Sequence, residues 1–229
     1  MKKKGLRIFS YLLIIIGIVL LLLPRINHWM IGNRAEKNVE VAIEMPANTL
    51  QNNLQSDTSF DFGAVEEISA TGTLLSPEYI DPSLIIGRLY VPSIDINVTV
   101  FNGVTNDILH AGVGTMRPNL TMGEGNFPIA GHYAHDPSLL FGNLTAIELG
   151  DEIFLTDNEK VYEYIVYDTK VVKPSEVEWI SEDVATKHGK PIVSLMNCYY
   201  VDGVRTNDRF FVFGELAEVH DDIEIMARQ

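Results

Sequence analysis

The hydrophobic pattern of this chain falls into three textures, each predicting a different kind of element. From Ile8 to Leu23 the run IFSYLLIIIGIVLLLL contains no charge and follows Lys2, Lys3, Lys4 and Arg7. Sixteen helical residues span about 24 Å, short of the ~30 Å hydrocarbon core, so Tyr11, Arg25, His28 and Trp29 are needed at the interfaces to complete a membrane segment over 8–30. A cleaved signal peptide shares the basic start and apolar run, but PRINHWMIG after Leu23 lacks the small-residue spacing of a cleavage site, which favours an uncleaved anchor. The basic residues 1–7 are then cytoplasmic and everything beyond residue 30 is outside the cell.

The second texture, from about Asn33 to Ser83, mixes polar residues with scattered apolar ones. AEKNVEVAIEM has helical spacing that Pro46 ends, and the polar run NTLQNNLQSDTS follows it. The expectation is a linker over 31–83, with a short helix, that lifts a domain off the membrane. The third texture begins at Leu84: LIIGRLYV, INVTVF, NFPIAG, EIFLT, KVYEYIVYDTKVV, PIVSLMN and RFFVFGEL are short runs rich in Val, Ile, Tyr and Phe, cut by turn residues. Helical signals are brief, at TNDILHAG, DPSLLFGNL and PSEVEWI. This pattern predicts a mainly β domain over 84–229, a closed or nearly closed barrel of about eight strands.

Charge sharpens the division. Six of the 17 basic side chains lie in the first 34 residues, which hold no acidic one, leaving 11 basic against 31 acidic groups in the remainder. A domain this acidic repels phosphates, which excludes nucleic acid as a partner.

The chain has one cysteine, Cys198, closing the apolar run PIVSLMN. An internal disulfide is impossible, which leaves a buried structural thiol, an intermolecular disulfide or a catalytic nucleophile. The end of a barrel strand, with fixed backbone and an open side, suits the nucleophile, but an ordinary thiol is mostly protonated at neutral pH and needs a base or positive charge beside it. Of six histidines, His28 sits at the membrane interface, His188 in the polar TKHGK stretch, His220 in the acidic tail and His110 in ILHAG, where it reads as half-buried. His132 also ends an apolar strand, NFPIAGH, after a glycine that permits close approach. His132, His135 and Asp136 have the look of a metal motif, but no second cluster supplies ligands and no metal is expected. Thiolate attack on a carbonyl also requires an oxyanion partner. Arg209 begins the strand after the Cys198 loop, and hairpin pairing would bring the two strand ends together. Arg205, mid-loop, reads as solvated.

With these residues in place the chain resembles the sortase family, most closely the class A type. The likeness runs from about Ile85 to Leu216 on IIGRLYVPSIDINVTVF, TMRPNLTMGEGNFPIAGH, LLFGNL and RFFVFGEL, and includes the anchor. It departs at Ser194-Leu195-Met196-Asn197-Cys198, where the family usually shows T-L-x-T-C, so Asn197 stands where a threonine is expected. The resemblance implies an eight-stranded sortase-type barrel and a cysteine transpeptidase. It would cleave an LPxTG-like signal between Thr and Gly through a thioacyl-enzyme and pass the protein to an amine of lipid II or a peptidoglycan cross-bridge. It implies Cys198 as nucleophile, His132 as acid and base, Arg209 as the group holding substrate and oxyanion, and Ala130, Ser194, Met196, Asn197 and Phe211 as the lining of the signal groove. No cofactor is expected: RPNLTMGEG offers Glu124 and little else to calcium. A surface cysteine hydrolase and a peptide-binding barrel without turnover are the alternatives.

Overall fold

The computed structural model describes residues 2–60, 72–73, 76, 80–221 and 226. The eight strands are β1 (Ile85–Val91), β2 (Ile96–Phe101), β3 (Val113–Thr115), β4 (Asn126–Gly131), β5 (Glu152–Thr156), β6 (Val161–Val172), β7 (Ile192–Val201) and β8 (Val204–His220). They close in the order β1-β2-β3-β4-β7-β8-β6-β5, with β5 pairing back onto β1. Two contacts are parallel, β2 with β3 and β4 with β7. The other pairs are antiparallel.

Strand alternation separates two cores. Val193 and Leu195 of β7, Phe127 and Ile129 of β4 and Val212 of β8 turn into the barrel with Leu89, Val98, Ile153 and Tyr164. Ala130, Ile192, Met196, Phe211 and Phe213 turn outward and are covered by Ile108 and Leu109 from helix α3 (Asn106–Leu109) and by Ala185 from helix α4 (Glu182–His188). The β4–β7–β8 wall therefore has an apolar outer face instead of a solvated one.

The membrane helix does not stop near residue 30. Helix α1 runs unbroken from Lys2 to Glu44, through Pro24, and is long and apolar enough to cross a membrane. Ile8 through Ile16 stand about half exposed or more, as lipid-facing side chains do. Its second half packs on the barrel, burying Ile31, Arg34, Asn38 and Ala42. Helix α2 (Ala47–Asn53) follows and buries Leu50 and Asn53. The expected linker is thus, over 31–60, part of the folded body; its stretches 61–71, 74–75 and 77–79 lie outside the described residues. Hydrogen bonds explain why so polar a segment docks. Asn53 gives its side-chain amide to the carbonyls of Pro82 and Ile85, and Asn102 gives its own to Asn53, Leu54 and Ser56.

Candidate active site

Parallel register aligns β4 with β7 so that Ala130 faces Met196. His132, just past the end of β4, and Cys198, within β7, each follow two residues later, on the same outer face as that pair. On the other side of β7, Cys198 lies opposite Arg209 in the antiparallel ladder with β8. Cys198, His132 and Arg209 therefore lie side by side on three adjacent strands, but only His132 stands at a strand end: β7 runs on to Val201 and β8 starts already at Val204, so the stretch read as a turn-rich loop is mostly paired strand, and Cys198 and Arg209 sit inside the hairpin.

Each residue carries the imprint of its surroundings. His132 is buried, and desolvation, with His110 beside it, pushes its pKa down to about 3. The His110 ring meets it edge-on at 5.2 Å. His110, read as half-buried from sequence, is fully enclosed; its Nδ1–H donates to the Asn106 carbonyl at 2.6 Å, which fixes its tautomer. The Nε2 atoms of both imidazoles are buried without a partner among the described residues. Burial pushes the Cys198 thiol up, while the Arg209 charge pulls it back. Burial thus favours the neutral imidazole and the neutral thiol, while Cys198 itself stays partly open to solvent.

Two guanidiniums attend the thiol. Arg209 Nη1 donates to the carbonyls of Asn207 and Asp208, and Arg205 Nη2 reaches Cys198 Sγ at 3.6 Å. Arg205, read as a solvated loop residue, lies in β8 and touches the sulfur. The hairpin that folds Val204–His220 back on β7 carries it there, with a register shift just after Cys198.

The expected groove residues divide. Ala130, Met196 and Phe211, each nearly fully buried, share the outer face with His132, Cys198 and Arg209. Ser194 also lies on this side, but its hydroxyl is committed to Asn126 Oδ1 at 2.7 Å. Asn197 is on the opposite face. Alternation turns its side chain into the barrel end, where it is fully buried and Nδ2 donates to the Phe141 carbonyl at 2.9 Å. The Phe141 N–H in turn donates to the His132 carbonyl at 3.1 Å. Asn197 thus touches the chain that holds His132, and its side chain does not line the outer face. Gly131 completes this packing: a Cβ there would stand 2.5 Å from the Phe141 ring.

His135 and Asp136 do not converge with His132 on a common point. Among the described residues the one trio of histidine and carboxylate groups close enough to hold an ion is Glu163, Glu218 and His220, at the far end of β8. Near Glu124, a second carboxylate, Glu182 of α4, is engaged by Arg117, whose Nη2 lies 2.7 Å from Glu182 and 2.8 Å from the Asn126 carbonyl. A fixed cation already bridges the two segments there.

Comparisons with known proteins bear on the family and the fold of the chain. The family model described as the sortase domain matches residues 89–217, more than half of the chain. Sortase A of Listeria monocytogenes serovar 1/2a is 35% identical over 216 residues, covering 94% of this chain and 92% of that protein. Sortase A of Streptococcus agalactiae serotype III is 31% identical over 211 residues, covering 90% and 81%. The solved structure of Listeria monocytogenes sortase A superposes with a TM-score of 0.57 over 63% of this chain and 95% of its own. That of sortase C-3 from Streptococcus pneumoniae, 23% identical, shares the fold with a TM-score of 0.60 over 85% and 97%.

Proposed function

The chain belongs to the sortase family, and from that premise we infer that it is a cell-wall sorting cysteine transpeptidase, held to the membrane by α1 and acting on LPxTG-type surface proteins. The observation that carries the assignment of roles is the lateral alignment of His132, Cys198 and Arg209 across β4, β7 and β8 on one face.

Cys198 gives its proton to His132 Nε2 and attacks the Thr–Gly carbonyl. The C–S bond forms and the carbonyl electrons move to oxygen, where Arg209 supplies the compensating charge. Collapse breaks the C–N bond, and His132 protonates the departing glycine amine, leaving the acyl group on sulfur. A primary amine of lipid II or of a peptidoglycan cross-bridge then resolves the thioester. The burial of His132 makes the ion pair a minor form that the substrate's own charge development must favour. Arg205, in contact with sulfur, adds to the stabilisation of thiolate. By the basic flank ahead of the apolar run, residues 1–7 are cytoplasmic and the barrel is extracellular.

The inward orientation of Asn197 removes the reason for reading the barrel as a binding module without turnover, since the departure from T-L-x-T-C does not reach the outer face. The deciding experiment is mass spectrometry of the full-length protein in nanodiscs, mixed with an LPxTG peptide with and without triglycine, beside Cys198→Ala. A Cys198-dependent triglycine adduct is expected. Cleavage that never yields an adduct with any amine would make the protein a hydrolase instead.

A further inference from the structure

A cavity of about 140 Å³ opens between α1 and the chain that follows His132. Asn27, His28 and Ile31 line it from the helix, and Tyr133, His135 and Tyr200 from the barrel. The barrel side is an aromatic wall: Tyr133 and Tyr200 stack at 3.9 Å with planes 15° apart, and His135 meets them edge-on at 5.5 and 5.6 Å. Tyr133 is bonded to His132, and Tyr200 lies two residues past Cys198, close enough that the thiol acts on its phenol. The wall therefore begins where the reacting groups end.

Three features define what the cavity can take. Its volume is that of four or five water molecules at ~30 Å³ each, which admits an aminoalkyl or glycyl arm but neither a sugar pair nor an extended polypeptide. Stacked phenol faces attract a cation, and Asp136, outside the lining but close enough to feel the His28 charge, is kept ionised by the Ser138 hydroxyl and amide. Its height above the membrane is set by α1: Asn27 and Ile31 lie four and eight residues past the apolar run, about 6 and 12 Å along the helix, at the depth of the head groups and just above. A ligand here is small, cationic and tethered to the bilayer.

We propose that this cavity receives the amine-bearing arm of the membrane-tethered cell-wall precursor and delivers its amine to the acylated Cys198. The proposal rests on the transpeptidase reading. The amine nitrogen, having lost one proton to solvent, forms the C–N bond to the thioester carbonyl. The C–S bond breaks with its electron pair passing to Sγ, and the second proton travels from nitrogen to His132 and on to the leaving thiolate.

The test uses full-length protein in nanodiscs, an LPxTG peptide donor and three amines, triglycine, Nα-acetyl-lysine amide and diaminopimelic acid, the best wild-type acceptor being carried forward. Tyr200→Ala removes one face of the wall, and Asn27→Trp fills the cavity from the helix, remote in sequence from the reacting groups. Both should lower kcat/KM for the amine at least about fivefold relative to amine-free cleavage measured on the same preparation. An unchanged ratio in both variants overturns the proposal, as does a wild-type protein that cleaves the donor but accepts none of the amines. Equal loss of amine-free cleavage and transfer in both variants assigns the cavity to the donor and also overturns it. Failure of the wild type to cleave any LPxTG peptide is a separate result that sinks the transpeptidase reading itself.

Discussion

Asn197→Ala separates two views of the residue before the nucleophile. The amide is fully buried and donates to the Phe141 carbonyl at 2.9 Å, while its Oδ1 has no partner among the described residues. Truncation strands the carbonyl, a cost of ~1–3 kcal/mol, and relieves an unpaired oxygen, which returns part of it. The net loss is about 1–2 kcal/mol, or roughly 2–8 °C in Tm for a chain of this size. Because the Phe141 N–H holds the His132 carbonyl, kcat/KM should fall too, by less than about tenfold. Asn197→Asp has the same shape without the donor and buries a charge against a carbonyl, so it should lose more stability than the alanine variant. The assays are thermal unfolding of the full-length protein in nanodiscs and steady-state cleavage of an LPxTG peptide. An unchanged Tm with activity down a hundredfold would refute the inward placement and return Asn197 to the substrate.

Other outcomes follow from the same geometry. His132 binds its proton near pH 3 when folded and near 6.5 when unfolded, so between these values the unfolded chain takes up a proton that the folded one refuses and stability drops as the pH falls. About 2 kcal/mol should be lost at pH 5, and His132→Asn should flatten the Tm–pH profile between pH 7.5 and 5; parallel profiles would show that the imidazole is not held neutral. Arg209→Ala should reduce kcat by about 10²–10³, the range for losing an oxyanion partner, and Arg205→Ala by less than tenfold; stopped-flow acylation rates rank the two, and the reverse order would exchange their roles. Turnover should be indifferent to EDTA and to added calcium, because Arg117 already bridges Glu182 and the Asn126 carbonyl; calcium-stimulated cleavage would contradict this.

Seven of the eight strands were legible because each carries a run of β-branched and aromatic residues between turn signals. β3 was not: Val113–Thr115 is three residues, too short to show alternation. Helix α4 was missed because Glu182–His188 is polar and buries Ala185 as its single enclosed residue. The docking of α1 beyond residue 30 was hidden for a related reason. Arg34 and Asn38 occupy the buried stripe, held there by bonds from Arg34 to the Ser76 carbonyl and from Asn38 to the Arg34 carbonyl, so the apolar spacing that announces a packed helix is interrupted. The sequence texture places Cys198, His132 and Arg209 at strand ends, which holds for His132 alone; β7 and β8 extend beyond their apolar runs because the polar stretch between them pairs with itself around Asp202-Gly203. The inward turn of Asn197 was also available from simple alternation with Cys198. The approach of Arg205 to sulfur was not, since it depends on how the hairpin folds back.

The unbroken course of α1 from the apolar run to Glu44 gives the protein a phase as well as an anchor. A flexible tether would let the barrel tumble and present its reacting face in any direction. A continuous helix that leaves the bilayer and packs on β1 and β2 fixes which side of the span the barrel occupies and how high above the bilayer it stands. One residue inserted just after Pro24 would raise the barrel by only about 1.5 Å but swing it by about 100° relative to the span. The helix therefore sets the facing of the reacting side relative to the span, and its length sets the reach.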